Sequence, residues 1–277
     1  PEEPQHILFG LESAISHSLR MPDMGANMGA AIMFFGIASL YMRSALCKIY
    51  YSCIAILALY ALFLSGTRGA IIVPLAGLAF TQLDQQQTKM VRLGDKYVIV
   101  YLISFRFTTI GESNSSIRRM RTAFNPTKDA SYIVRKENKK ISHNISNITF
   151  GEGLGLSGDG LGVKISTRFT TSIPTDSWYV KIWVETGIVG LILYLSMIFL
   201  TIGWGGWIIA TQIKDLELKG LLSGLLCGIF GMFINAYANS FWGQFPTMII
   251  AFMGLTFVLN GPYFDKEIRI KKINCFK

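Results

Sequence analysis

Long apolar runs separated by short polar breaks dominate the chain. They cover Gly25–Met42, Cys47–Ser65, Ala70–Leu83, Val91–Phe107, Ile188–Thr211, Leu221–Asn239 and Phe245–Leu259. About 20 apolar residues cross a bilayer, and shorter runs are completed by tilt, thinning or snorkelling flanks. Val91–Phe107 is interrupted by Asp95 and Lys96 and is the weakest of the seven. The pattern predicts an all-α, polytopic membrane protein of six to seven transmembrane helices with one long extracytoplasmic loop. It divides into membrane helices over 1–107, a loop over 108–176, an amphipathic helix with further membrane helices over 177–262, and a basic tail over 263–277. No heptad or low-complexity tract interrupts this plan.

Composition agrees. Charged residues are 16% of the 277, against about 25% in soluble domains, which disfavours a water-soluble enzyme. The four cysteines form no Cys-x-x-Cys pair and sit mostly in or beside apolar runs, as small hydrophobes do. His6, His17 and His143 are far apart, so no metal site is expected, and no cofactor is expected. The chain opens on Pro1 with no signal peptide, and an N-terminally incomplete protein is the expectation.

Lysine and arginine in short loops set orientation. Arg43 and Lys48, then Lys89, Arg92 and Lys96, then Lys214 and Lys219, then the tail "DKEIRIKKINCFK" fall on one side if the spans alternate. That side is the cytoplasm. The tail equally suits contact with anionic lipid. Residues 1–24, the Arg68 turn, Ser240–Gln244 and the 108–176 loop then face outward. The long loop holds ten Lys/Arg and six Asp/Glu, but loops beyond about 60 residues escape the charge rule. An insertion of that size usually has a function of its own.

Three stretches offer chemistry. In "LSGTRGA", Arg68 lies between two apolar runs at the outer boundary. It reads either as a snorkelling arginine or as an anion clamp, because guanidinium grips phosphate bidentately. Gly66 and Gly69 permit close approach, and Gly69 opens a helix whose first amides favour anions. In "IPTDSWYVKIWVETGIVGL", Asp176 or Ser177 caps a short amphipathic helix from about Trp178, and a span follows. Trp178, Tyr179 and Trp183 suit the membrane interface, and Lys181 with Glu185 suits an i,i+4 pair. Asp176 is either part of an anchor helix or a surface carboxylate available as a base. The loop's Arg118, Arg119, Arg121, Arg135, Lys136, Lys139 and Lys140 form a solvated charge run or a glycan or phosphate contact. "GEGLGLSGDGLG" lacks the Lys-Ser/Thr of a phosphate loop and reads as a flexible loop.

"LSGTRGAIIVPLAGL" resembles the Ser/Thr-Gly-x-Arg-Gly segment of the O-antigen ligase and O-antigen polymerase superfamily. "DSWYVKIWVETGIVGLILYL" is similar to its second signature, "RMPDMGANMGA" to the region opening an earlier span, and "ASYIVRKENKKI" with "GEGLG" to its long periplasmic loop. The resemblance implies a multi-pass enzyme of the bacterial cytoplasmic (inner) membrane. Its donor would be a glycan on undecaprenyl diphosphate, and transfer would occur on the outer face with inversion. No nucleotide sugar, obligatory metal or nucleic acid is implied. Membrane lipid, a chain-length regulator and a flippase are the implied partners. By resemblance Arg68, with Gly69, and Arg135 contact the diphosphate, and Asp176 acts on the acceptor. Ligases of the superfamily carry histidine where this chain has Asp176. That departure turns the expectation toward a polymerase of O-antigen, capsule or exopolysaccharide repeat units. The alternatives are a ligase or protein O-oligosaccharyltransferase, or a non-enzymatic transporter or scaffold. Superfamily members usually have more spans than this chain.

Overall fold

The computed structural model describes residues 7–8, 11–12, 21–65, 67–81, 149–158, 167, 171, 175 and 177–275. Ile7–Leu8 (β1) and Leu11–Glu12 (β2) make a two-residue antiparallel ladder. Everything else regular is helical: α1 (Met21–Tyr41), α2 (Ala45–Leu64), a 3-10 turn (Arg68–Ile71), α3 (Ile72–Thr81), α4 (Trp178–Thr211), α5 (Leu216–Asn235), α6 (Thr247–Leu259) and α7 (Gly261–Cys275).

Among the described residues α1, α2, α4 and α5 are long and apolar enough to cross a membrane. A fifth span exists if α6 and the helix after it, bent by 57°, count as one. The chain is therefore a multi-pass helical membrane protein. The ten residues of α3 reach only about 15 Å, half a hydrocarbon core. The candidate span Val91–Phe107 lies outside the described residues.

α5 is the central helix. Its core residues Leu226, Ile229, Met232 and Phe233 meet Ile198 and Ile202 of α4 and Ala251, Leu255 and Val258 of α6. Its other side carries Gly220, Gly224, Gly228 and Gly231. A β-carbon at Gly224 would lie 2.7 Å from the Phe34 carbonyl oxygen, and one at Gly228 would lie 2.9 Å from that of Ala30. Gly220 meets Tyr41, and Gly231 meets the Val73 carbonyl, just as closely. Water does not drive helices together inside lipid, so close backbone contact through small residues does that work. The result is a tight unit in which α5 runs antiparallel to both α1 and α3. By contrast, α2 and the outer face of α4 turn Ile49, Ile56, Leu57, Leu193, Leu200 and Trp204 outward, the surface that lipid covers.

One end of the bundle gathers the basic loops. The backbone N–H of Arg43 donates to Glu217 Oε1 (2.8 Å). Asp215 caps α5 by accepting from the Leu218 N–H, and its carboxylate also holds Lys272 and lies 4.0 Å from Arg43. Asp265, fully buried, accepts from the N–H groups of Lys214 (3.1 Å) and Asp215 (2.8 Å) and pairs with Arg269 at 2.9 Å. These contacts dock α7 onto the α4–α5 loop. The segment read from sequence as a basic tail is a helix here, because Asp265 and Arg269 stand one turn apart and the loop supplies donors to the carboxylate. Lys89, Arg92 and Lys96 lie outside the described residues.

Candidate functional site

The opposite end gathers polar groups from five elements. The turn after α2 is shaped by Ser65. Its hydroxyl donates to the Leu62 carbonyl (2.7 Å) and accepts from the Thr67 N–H (3.3 Å). Arg68 opens the 3-10 turn, and Thr67 offers no side-chain cap to it. Gly25 of α1 sits so close that a β-carbon there would be 2.9 Å from Ala70 and 3.0 Å from Ser65 Oγ. Gly69 faces the end of α5, where a β-carbon would be 2.9 Å from Asn239 Nδ2 and 3.3 Å from Asn235 Oδ1. The two amides are linked, Asn239 Nδ2 donating to Asn235 Oδ1 at 3.1 Å.

Asn235 is fully buried, and its Nδ2 has no hydrogen-bond partner among the described residues. Asn27, two turns into α1, donates from Nδ2 to Thr247 Oγ1 of α6 at 2.9 Å, and its Oδ1 is likewise buried without a partner there. Buried amide groups are ordinarily satisfied, and leaving one unmade costs about 1–3 kcal/mol. This end thus holds a spare donor and a spare acceptor beside the Arg68 turn. Asn235 and Asn239 were missed in the sequence. The signal was "NAYANS", a polar cluster at the end of an apolar run.

α4 reaches the same end and is broken there. Gly187 has φ +71 and ψ −172, which separates Trp178–Thr186 from the long span beginning at Ile188. The break frees the carbonyls of Val184 and Glu185. The Gly-rich run fills them: the Glu152 N–H donates to the Val184 oxygen (2.8 Å) and the Gly153 N–H to that of Glu185 (3.1 Å). Ser157 Oγ donates to the Glu185 carboxylate at 2.5 Å. So residues 151–157 of the Gly-rich run over 151–162, which was expected to be a flexible loop and whose residues 159–162 lie outside the described residues, are a clip seated on a helix break. Their glycines serve close approach and positive φ, at Gly151, Gly153 and Gly155.

The aromatic residues at the start of α4 make defined contacts within the bundle. Trp178 donates its N–H to the Ala236 carbonyl (3.0 Å) and its indole Nε1 to Tyr194 Oη (3.1 Å). The Tyr179 hydroxyl donates to the Phe233 carbonyl, and Trp183 is buried. Trp178 and Tyr179 tie the start of α4 to the end of α5. Ser177 is the N-cap residue but makes no side-chain cap. Glu185 is held by Ser157, and the Lys181 ammonium lies 5.5 Å from the Trp178 ring centroid.

Of the residues proposed from sequence, Gly69 is placed in this polar end and Arg68 contributes its backbone to the turn. The Arg68 side chain, Arg135, Asp176 and the arginines at 118, 119 and 121 lie outside the described residues. Trp178, two positions after Asp176 in the sequence, is bonded to Ala236. Its neighbour Asn235 touches Gly69, one position after Arg68. Among the described residues no group of three or more His, Cys, Asp or Glu side chains could hold a metal ion.

The arrangement defines a multi-pass helical membrane protein with one basic end and one end that carries buried amides. Comparison with protein families, with curated proteins and with solved structures finds no match.

Proposed function

We propose that this chain is a glycosyltransferase of the bacterial cytoplasmic membrane that polymerises undecaprenyl-diphosphate-linked repeat units on the outer face. The observation that carries the reading is the position of the Arg68 turn. It lies against Asn235 and Asn239, at the end of the bundle opposite the basic loops. A lipid-linked donor keeps its diphosphate at the membrane surface, where a guanidinium and uncapped first-turn amides bind it. The part-exposed amide of Asn239 at the same end is a group of the kind that sugar hydroxyls hydrogen-bond.

In this reading the acceptor hydroxyl oxygen attacks the anomeric carbon of the donor. Its proton passes to the Asp176 carboxylate, and the bond to the diphosphate oxygen breaks. Undecaprenyl diphosphate leaves, with its growing charge held by Arg68 and Arg135. The leaving group is already good, so charge stabilisation supplies much of the rate. Residues 108–176 cover the glycan as an extracytoplasmic lid, six to seven helices hold it, and a flippase and a chain-length regulator act beside it.

The test compares surface and lipid-linked glycans from wild-type, deletion and Arg68→Ala strains of the host. A ladder reduced to one repeat unit on its usual acceptor supports a polymerase. Long chains that stay on the lipid carrier identify a ligase instead. A ladder lost on deletion yet intact in Arg68→Ala refutes the role of Arg68 and favours a transporter or scaffold.

A further inference from the structure

The end of α5 carries a pair of amides that helix termination does not require. The backbone closes the helix by itself. The N–H groups of Ala236, Tyr237 and Ala238 donate to the carbonyls of Met232 (3.0 Å), Ile234 (3.2 Å) and Asn235 (2.9 Å). Among the described residues the side chains of Asn235 and Asn239 make one hydrogen bond, and it joins them, Asn239 Nδ2 donating to Asn235 Oδ1 at 3.1 Å. The pair is unfavourable for stability. Asn235 is fully buried with its Nδ2 unpartnered, and a buried donor left unmade is destabilising. Native structures keep few such groups, and local rules are broken mainly at functional sites.

What the bond achieves is a fixed amide. Asn239 is part-exposed, whereas Asn235 is buried. The bond uses one Asn239 N–H and leaves its Oδ1 and its second N–H without a partner among the described residues. The chain on either side is held as well. Ala238 is tied back to Asn235, and Phe241 and Trp242, two and three residues further on, are buried. Asn239 therefore presents one acceptor and one donor in a set orientation, with little freedom to lose on binding. Gly69, next to Arg68, makes room for the pair. A β-carbon there would lie 2.9 Å from Asn239 Nδ2 and 3.3 Å from Asn235 Oδ1. An amide with a free acceptor and a free donor suits neighbouring sugar hydroxyls, which both donate and accept. A diphosphate only accepts and would use the N–H alone.

We propose that Asn239 hydrogen-bonds the first sugar of the lipid-linked donor, and that Asn235 is a positioning residue that holds the Asn239 amide for it. On the glycosyl-transfer reading, which this inference rests on, Arg68 takes the diphosphate and Asn239, across Gly69, takes the sugar bonded to it.

The experiment measures binding of two lipids to the full chain in nanodiscs: undecaprenyl diphosphate, and the lipid-linked repeat unit extracted from the deletion host. Asn239→Ala should weaken binding of the glycosylated lipid about fivefold, the size of one neutral hydrogen bond, and leave undecaprenyl diphosphate unchanged. Asn235→Ala alters a side chain that never meets the sugar and should show the same selective loss. Asn235→Val refills the space without an acceptor and repeats the test if Asn235→Ala does not fold. Full affinity for the glycosylated lipid in the Asn235 variant overturns the positioning role, and in Asn239→Ala it overturns the whole inference. An equal loss for both lipids overturns it too, because the pair then only supports the Arg68 turn. In all these outcomes wild type binds both lipids. If wild type binds neither, the glycosyl-transfer reading itself fails and the inference falls with it.

Discussion

Gly151 and Gly187 approach so closely that neither has room for a β-carbon. A methyl group on Gly151 would lie 2.6 Å from the Gly187 nitrogen, and one on Gly187 would lie 2.5 Å from the Phe150 nitrogen. Both also have positive φ. The contact joins a loop to the break in α4 across 36 residues of sequence. It holds the start of α4 at the polar end of the bundle.

Alanine at Gly187 should therefore detach the clip. The left-handed backbone costs about 1–2 kcal/mol, and the steric overlap about 1–3 kcal/mol more. The expected outcome is a lower thermal midpoint in detergent with helix content retained by circular dichroism, together with loss of long glycan chains. Gly151→Ala should do the same. Wild-type stability in both variants would show that the clip is not seated as described.

The glycine stripe on α5 makes an opposite pair of expectations. Gly224→Ala pushes a methyl group against the Phe34 carbonyl and should destabilise by about 1–3 kcal/mol. Gly36→Ala and Gly203→Ala meet nothing within 4 Å. They should be neutral, or stabilise by as much as about 1 kcal/mol through helix propensity. Thermal unfolding of the three variants in one detergent separates the cases.

The docking of α7 is sensitive to acid. Asp215 titrates below its ordinary value of 3.8. A carboxyl depressed on folding contributes its full stability above its unfolded pKa and loses it as pH falls through the folded one. Stability from this contact should be flat from pH 7 to about pH 5 and decline below about pH 4. Asp215→Asn keeps a capping side chain but drops the ion pairs. It should cost about 1 kcal/mol at pH 7, since Arg43 and Lys272 are half exposed. Asp215→Ala also loses the cap, about 1 kcal/mol more. The difference between wild type and Asp215→Asn should shrink as pH falls below about 4 and disappear once the folded-state carboxyl is protonated, measured as thermal midpoint against pH.

The sequence carried most of the membrane architecture because burial in lipid demands long apolar runs, and those are local. Ile188 as the start of a span, the helix from Trp178 and the turn at Arg68 were all readable. Contacts between distant segments were not. Nothing in "GEGLGLS" says that it seats on Gly187, because the reason is two carbonyls freed elsewhere in the chain. Trp178 and Tyr179 looked interfacial since amphipathic aromatics serve interfaces and cores alike. Their hydrogen bonds to Ala236, Tyr194 and Phe233 are long-range contacts that the local pattern does not carry. The Gly220, Gly224, Gly228 spacing was visible but falls inside a run that apolarity alone describes. Asn235 and Asn239 drew no notice, because polar residues after a span usually just end it. The proposed reaction rests on Arg68, Arg135 and Asp176 and on the motif resemblance.

The most direct test is binding of undecaprenyl diphosphate to the purified protein in nanodiscs, for wild type, Arg68→Lys and Arg68→Ala. Bidentate recognition by a guanidinium predicts saturable binding by wild type and a loss of about tenfold or more in both variants, since lysine cannot reproduce the fork. Wild-type affinity in Arg68→Ala would contradict the account, leaving Arg68 as a helix-boundary residue with no part in holding the donor.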